Sequence, residues 1–279
     1  MRLIIKIISC LLLLGMFMTM ILFGQLYINK EVKNKKMSYN SRMIPTIMIP
    51  GSSATQERFD SMIKTLNTMG KTHSILKLTV SESGNISYSG QLSTNDTKPY
   101  IIIAFSNNTD GYANIKKQTQ SLDIAMQALQ NRYHFKQFNA VGHSNGGLNW
   151  TIYLEKYYNS QDFNIQTLVT LGSPYNFEET NSSNRTQLLQ DLISNNTTIP
   201  QSLLVYNIAG SQSYDDDYIV PLSSVESGKY VFQKIVKQYT QLTVTGDDAE
   251  HSDLPQNKEV IQLIVEKILQ GNQKPRKKF

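Results

Sequence analysis

At one point the chain changes period abruptly. Phe138–Val141 is a short apolar run that reads as a buried strand, and Gly146–Tyr158 reads as a helix. The junction is Gly142-His143-Ser144-Asn145-Gly146-Gly147, which contains G-x-S-x-G. A serine at so sharp a strand-to-helix turn is forced into strained backbone geometry, and only glycine-sized neighbours at Gly142 and Gly146 let the chain pass. The turn lifts the hydroxyl clear of the sheet, and the helix N-terminus behind it favours a developing negative charge. A glycine-rich loop that merely opens a helix has the same letters. The strand before and the helix after favour a nucleophile.

The rest of the body fits the kind of sheet such a turn needs. Thr46–Pro50 reads as a strand ending in Pro-Gly, and Thr55–Met69 shows helical spacing. Ser74–Val80 and Asn85–Leu92 pair around the turn residues Ser83-Gly84-Asn85. Tyr100–Phe105 is continuously apolar, as in a strand covered on both faces. Ile115–Tyr133 is a predicted helix, and Thr167–Leu171, Leu203–Ile208 and Gln241–Val244 are predicted strands before a closing amphipathic helix, Asn257–Leu269. Strands alternating with helices imply an α/β fold, a mainly parallel sheet with helices on both faces. The polar stretch Tyr175–Pro200, with a helix predicted at Gln187–Ile193, is read as a small cap over the sheet edge. Three units follow: an N-terminal anchor and linker at 1–36, the folded domain at 37–271 and a basic tail at 272–279.

Charge is uneven along the chain. The whole carries 27 Lys+Arg against 22 Asp+Glu, but residues 37 to 273 hold 17 basic and 21 acidic groups, a net of −4. The surplus sits at the two ends, so nucleic-acid binding is not expected. From Ile7 to Asn29 there is no charged residue, a stretch long enough for a helix to cross a ~30 Å hydrocarbon core. It exceeds the core of a cleaved signal and is followed by no A-x-A-like site. The expectation is a single N-terminal transmembrane signal anchor with the domain outside the cytoplasm; secretion after signal cleavage is the alternative. The lone cysteine, Cys10, excludes an internal disulfide or a cysteine-based zinc site.

A serine nucleophile needs a base, and the histidines are His73, His134, His143 and His251. His143 adjoins the serine and diverges from it at the turn, so it packs beneath. His73 and His134 precede it and read as surface or strand-edge residues. His251 alone follows, in the loop after the last predicted strand, where loops at the carboxyl ends of parallel strands gather around one site. The acid belongs between serine and histidine in chain order, and Ser213–Pro221 offers Asp215, Asp216 and Asp217. Taken alone, these three also read as a solvated loop or part of a calcium site.

With these residues in place the sequence resembles the α/β-hydrolase superfamily, and within it the cell-surface hydrolases of low-GC Gram-positive bacteria. The resemblance runs from Pro45 to Leu269 on Pro50-Gly51-Ser52-Ser53, the Gly142–Gly147 segment, Leu171-Gly172-Ser173-Pro174, Asp217-Tyr218-Ile219-Val220-Pro221 and Glu250-His251-Ser252. Relatives carry Asp-Gly-x-Val-Pro at the acid turn, which maps the acid onto Asp217 and puts Tyr218 where they have glycine. Pro50 stands where they often have histidine. The resemblance implies the α/β-hydrolase fold and an extracytoplasmic serine hydrolase with the triad Ser144, His251 and Asp217. Its oxyanion hole would be the backbone N–H groups of Ser52 and Asn145. The expected substrate is a small-molecule or lipid-like carboxylic ester, short or medium acyl chains favoured, cleaved through an acyl-enzyme with no metal or organic cofactor. The alternatives are a peptidase or acyltransferase with the same triad, and a non-catalytic binding protein on this scaffold.

Overall fold

The computed structural model describes residues 14–26, 42–181 and 183–270. The expected transmembrane segment, Ile7–Asn29, lies partly outside them, as do most of the linker to Arg42 and the tail after Gln270. Residues 14–26 are helical and exposed. Among the described residues no helix is long and apolar enough to cross a membrane.

Eight strands form one sheet: β1 (Thr46–Ile49), β2 (Ile75–Val80), β3 (Ile86–Gln91), β4 (Tyr100–Phe105), β5 (Gln137–His143), β6 (Asn164–Leu171), β7 (Leu204–Ser211) and β8 (Gln238–Thr245). Their order is β3-β2-β4-β1-β5-β6-β7-β8. Every pairing is parallel except β2 with β3, the hairpin expected around Ser83-Gly84-Asn85. The central strands β1 and β4 are buried on both faces, which is why they read as unbroken apolar runs.

Alternate side chains of these strands feed two cores. Ile47, Ile49, Ile101 and Ile103 face α2 (Tyr112–Tyr133), α3 (Asn145–Lys156), α4 (Gln187–Asn195) and α6 (Gly228–Phe232). Met48, Tyr100 and Ile102 face α1 (Asp60–Met69) and α7 (Lys258–Ile264). The result is a three-layer α/β fold. A short helix α5, Leu222–Glu226, precedes α6, and α7 runs into a π-helical turn, Val265–Leu269.

The segment read as a cap has a different part in the fold. Its helix α4 buries Leu188, Leu189 and Leu192 in the core shared with α3, because it is the crossover that joins parallel β6 to β7. His73 is also corrected. It is buried, its Nδ1 2.6 Å from Asp96 Oδ1, and the same carboxylate accepts hydrogen bonds from the Ser74 N–H and hydroxyl. This pair ties together the entries to β2 and β4, at the pole of the sheet away from Ser144. His134 fits its expectation, as the exposed left-handed residue that ends α2.

Glu155, near the end of α3, is buried, and its Oε1 has no hydrogen-bond partner among the described residues. Burial pushes its carboxyl up from 4.5 to about 9, against a small opposing pull from Lys156. Between those values the folded chain holds a proton that the unfolded chain has lost, so stability falls as pH rises through that window. Glu155→Gln is neutral at every pH. It should exceed wild type by a few kcal/mol (roughly, from the shift) at pH 8 and by little at pH 4, read from urea midpoints. A difference that does not change with pH would contradict this.

Candidate active site

Parallel strands bring their carboxyl ends to one pole, and β1 and β5 lie where the strand order reverses, the usual crevice of such sheets. The register sets Ile49 beside Gly142, His143 beside Leu171, and Leu171 beside Ile208. The loops that leave these strands therefore meet.

Ser144 sits between β5 and α3 at φ 56° and ψ −129°, the strained turn that its neighbours predict. The turn closes only because nothing projects from the glycines around it. A Cβ on Gly146 would lie 2.1 Å from the Ile49 carbonyl oxygen, and one on Gly51 would lie 2.5 Å from Ser144 Cβ. The second contact places the loop after β1 directly against the nucleophile. In that loop the N–H of Ser53 is taken by Asn108, whereas the N–H of Ser52 has no acceptor among the described residues. Asn145 opens α3, so its N–H has no intrahelical partner. Both expected oxyanion donors are thus unengaged. The Asn145 side chain holds the two loops in place, donating to Ser52 Oγ at 2.5 Å and to Asp110 Oδ1 at 2.7 Å.

Of the three aspartates, only Asp217 turns inward. Its Oδ2 lies 2.7 Å from His251 Nδ1, with the two side chains 0% and 7% exposed. Its Oδ1 accepts the N–H of Ile219 at 3.1 Å and of Val220 at 2.7 Å. A further bond, from the His251 N–H to the Asp217 carbonyl at 2.9 Å, locks the two loops together. Asp216 instead braces its own turn, its Oδ1 accepting from the Ser213 hydroxyl and the Tyr218 N–H. No group of three or more acidic, histidine or cysteine side chains placed to hold a metal ion occurs among the described residues.

His143 does more than fill space beneath the turn. Its Nε2 lies 2.8 Å from the His251 carbonyl oxygen, its ring centroid is 4.8 Å from that of His251, and Arg58 Nε donates to its Nδ1 at 3.5 Å. Burial, with His251 and Arg58 nearby, holds its pKa well below the usual histidine range, so the ring is neutral and donates from Nε2. Arg58 also donates to the Ser252 carbonyl, on the same loop. Neither Arg58 nor Asp110 belongs to a sequence motif, and their partners lie far along the chain. The Ser144 hydroxyl and His251 Nε2 have no hydrogen-bond partner among the described residues; such contacts are often long before substrate binds and tighten in the complex.

Residues 33–271 match the profile of a family described as alpha/beta hydrolases of unknown function, DUF915. The chain belongs to this α/β-hydrolase family. It is similar to a candidate cell surface hydrolase of Lactobacillus plantarum WCFS1, at 49% identity over 83% of this chain and 94% of that one, with a TM-score of 0.76. A Listeria innocua protein is similar at 30% identity over 80% of this chain and 93% of that one, with a TM-score of 0.73. No curated protein matches.

The glycine that the resemblance leads one to expect after Asp217 has a physical reason here. Tyr218, at that position, is held at φ 71° with its side chain 60% exposed. A non-glycine residue in the left-handed region costs about 1–2 kcal/mol. Tyr218→Gly should therefore stabilise the chain, by about 1 kcal/mol once glycine's greater unfolded freedom is subtracted. A fall in thermal stability would contradict this.

Proposed function

We propose that this protein is an extracytoplasmic serine hydrolase that cleaves carboxylic esters of short or medium acyl chain. The observation that carries the reading is the buried Asp217–His251 contact of 2.7 Å at the same pole as the strained Ser144. Asp217 accepts from Nδ1–H and so leaves Nε2 as the acceptor. His251 Nε2 takes the Ser144 proton as Oγ attacks the acyl carbonyl, and the N–H groups of Ser52 and Asn145 receive the charge on the carbonyl oxygen. The same proton then passes from Nε2 to the leaving alkoxide, which departs as alcohol. Water, deprotonated in turn by His251, releases the acid and restores Ser144. None of these steps calls on a metal or organic cofactor. Through the bond to its carbonyl, His143 keeps His251 oriented.

Acyl-chain preference follows from what borders the site. The apolar residues of 175–200 are turned into the core, so this segment offers no apolar lid for an oil interface. The surface location is supported by the Lactobacillus relative's description and by the uncharged Ile7–Asn29 stretch, read as an anchor. A panel of aryl esters of increasing chain length tests the function. The reading expects Ser144-dependent turnover that peaks on short or medium chains. Turnover that peaks on long chains or rises on emulsified substrate would overturn the preference, and none on any ester would overturn the activity.

A further inference from the structure

The pole opposite Ser144 holds a basic cavity that ester hydrolysis does not use. It has a volume of about 470 Å³ and opens among the segments that enter the strands, with Ile44 ahead of β1, Lys98 ahead of β4 and Lys237 ahead of β8. Lys98, Lys237 and Lys267 line it, and no acidic residue does. None of the three ammonium groups is ion-paired among the described residues. Lys98 is half-buried and donates to the Leu269 carbonyl. Asn139, also in the lining, is 4% exposed, and its side-chain amide has no partner among the described residues. An amide that opens to the cavity without a protein acceptor, set among lysines that form no ion pair, suits an oxygen-rich anion.

The chain itself indicates where that anion comes from. It enters the domain at this pole through Arg42 to Pro45 and leaves it at Gln270, just past Lys267. The sequence before the entry carries the uncharged stretch Ile7–Asn29 followed by Lys30, Lys33, Lys35 and Lys36. The sequence after the exit carries Lys274, Arg276, Lys277 and Lys278. The basic surplus of the whole chain thus joins the fold at one end. We propose that this pole lies against the bilayer and that the cavity receives phosphate groups of anionic phospholipids. The inference rests on the anchor reading and is independent of the ester chemistry.

The geometry has a consequence for substrate access. β5 alone, seven residues long, sets Ser144 roughly 20 Å from this pole at ~3.3 Å per residue. The catalytic mouth then faces away from the membrane, and its substrate arrives from the outer side and not from the leaflet below.

Amine footprinting of the full chain tests this. The protein is placed in nanodiscs of phosphatidylcholine, and in nanodiscs of phosphatidylcholine mixed with phosphatidylglycerol. Surface amines are acetylated with a succinimidyl ester and each lysine is followed by mass spectrometry. Acetylation of Lys98, Lys237 and Lys267 should slow about fivefold in the anionic discs, with the exposed Lys64 and Lys117 unchanged. Equal rates in both discs, or slowing of all five lysines alike, would overturn the proposal. Inorganic phosphate added to phosphatidylcholine discs is the further arm: protection by phosphate without protection by phosphatidylglycerol assigns the cavity to a soluble anion and overturns the membrane reading. Fluorophosphonate labelling in the same discs reports the serine chemistry separately, so either reading can fail while the other stands.

Discussion

Ser144→Ala, His251→Ala and the double variant are expected to lose nearly the same activity, on the order of 10⁶-fold in kcat. The reason is that the two side chains perform one act. Without the imidazole the hydroxyl keeps its proton; without the hydroxyl the imidazole has nothing to activate. Residual turnover above the uncatalysed rate should persist, since the N–H groups of Ser52 and Asn145 remain to stabilise attack by water. Independent roles would instead make the double loss the product of the single ones. Steady-state rates on the best aryl ester decide between these outcomes, with circular dichroism to show that each variant is folded.

Asp217→Asn should cost about 10⁴-fold in kcat while leaving the fold intact. The asparagine Oδ1 can still accept the N–H groups of Ile219 and Val220. Its amide nitrogen then faces His251 Nδ1, where Oδ2 now stands at 2.7 Å. Two donors cannot share that contact, so the imidazole must shift its proton to Nε2, the nitrogen that should receive the proton of Ser144. Asp216→Asn keeps the Oδ1 that accepts from Ser213 and Tyr218, and Asp215 makes no side-chain bond among the described residues. Both of these changes should leave kcat nearly unaltered. Loss of activity at position 216 with none at 217 would show that the acid has been misassigned.

The sequence made the site's skeleton legible because its constraints are local. The Ser144 turn needs small residues at fixed spacing, and β4 is buried along its whole length, so its ends match the apolar run residue for residue. Elements with mixed exposure were read short. β8 is an edge strand with only Val244 buried, so Gln238–Thr245 carried little periodic signal beyond Gln241–Val244. The helix expected from Thr55 begins at Asp60, because the apolar spacing starts only at Phe59 and residues 56–59 form turns. Helices α5 and α6, five residues each, are too short for any period to appear. Long-range pairs left no trace at all: His73 with Asp96, Arg58 with His143, and Asn145 with Asp110 each join segments that only the folded sheet brings together.

The choice among three aspartates shows the same division. Spacing alone left the acidic run open, and resemblance selected Asp217. The fold supplies the physical distinction, a buried carboxylate with both oxygens occupied beside two solvated neighbours. Tyr218 adds a local signature, since the left-handed backbone that glycine would take is kept there by a residue poorly suited to it.

Covalent capture of the nucleophile tests the central claim most directly. The purified full chain is treated with a fluorophosphonate, digested, and the modified peptide sequenced by mass spectrometry. The adduct should sit on Ser144 Oγ, be absent from Ser144→Ala, and form far more slowly in His251→Ala, where nothing removes the hydroxyl proton. Labelling that is undiminished in Ser144→Ala, or an adduct on another serine, would contradict the account.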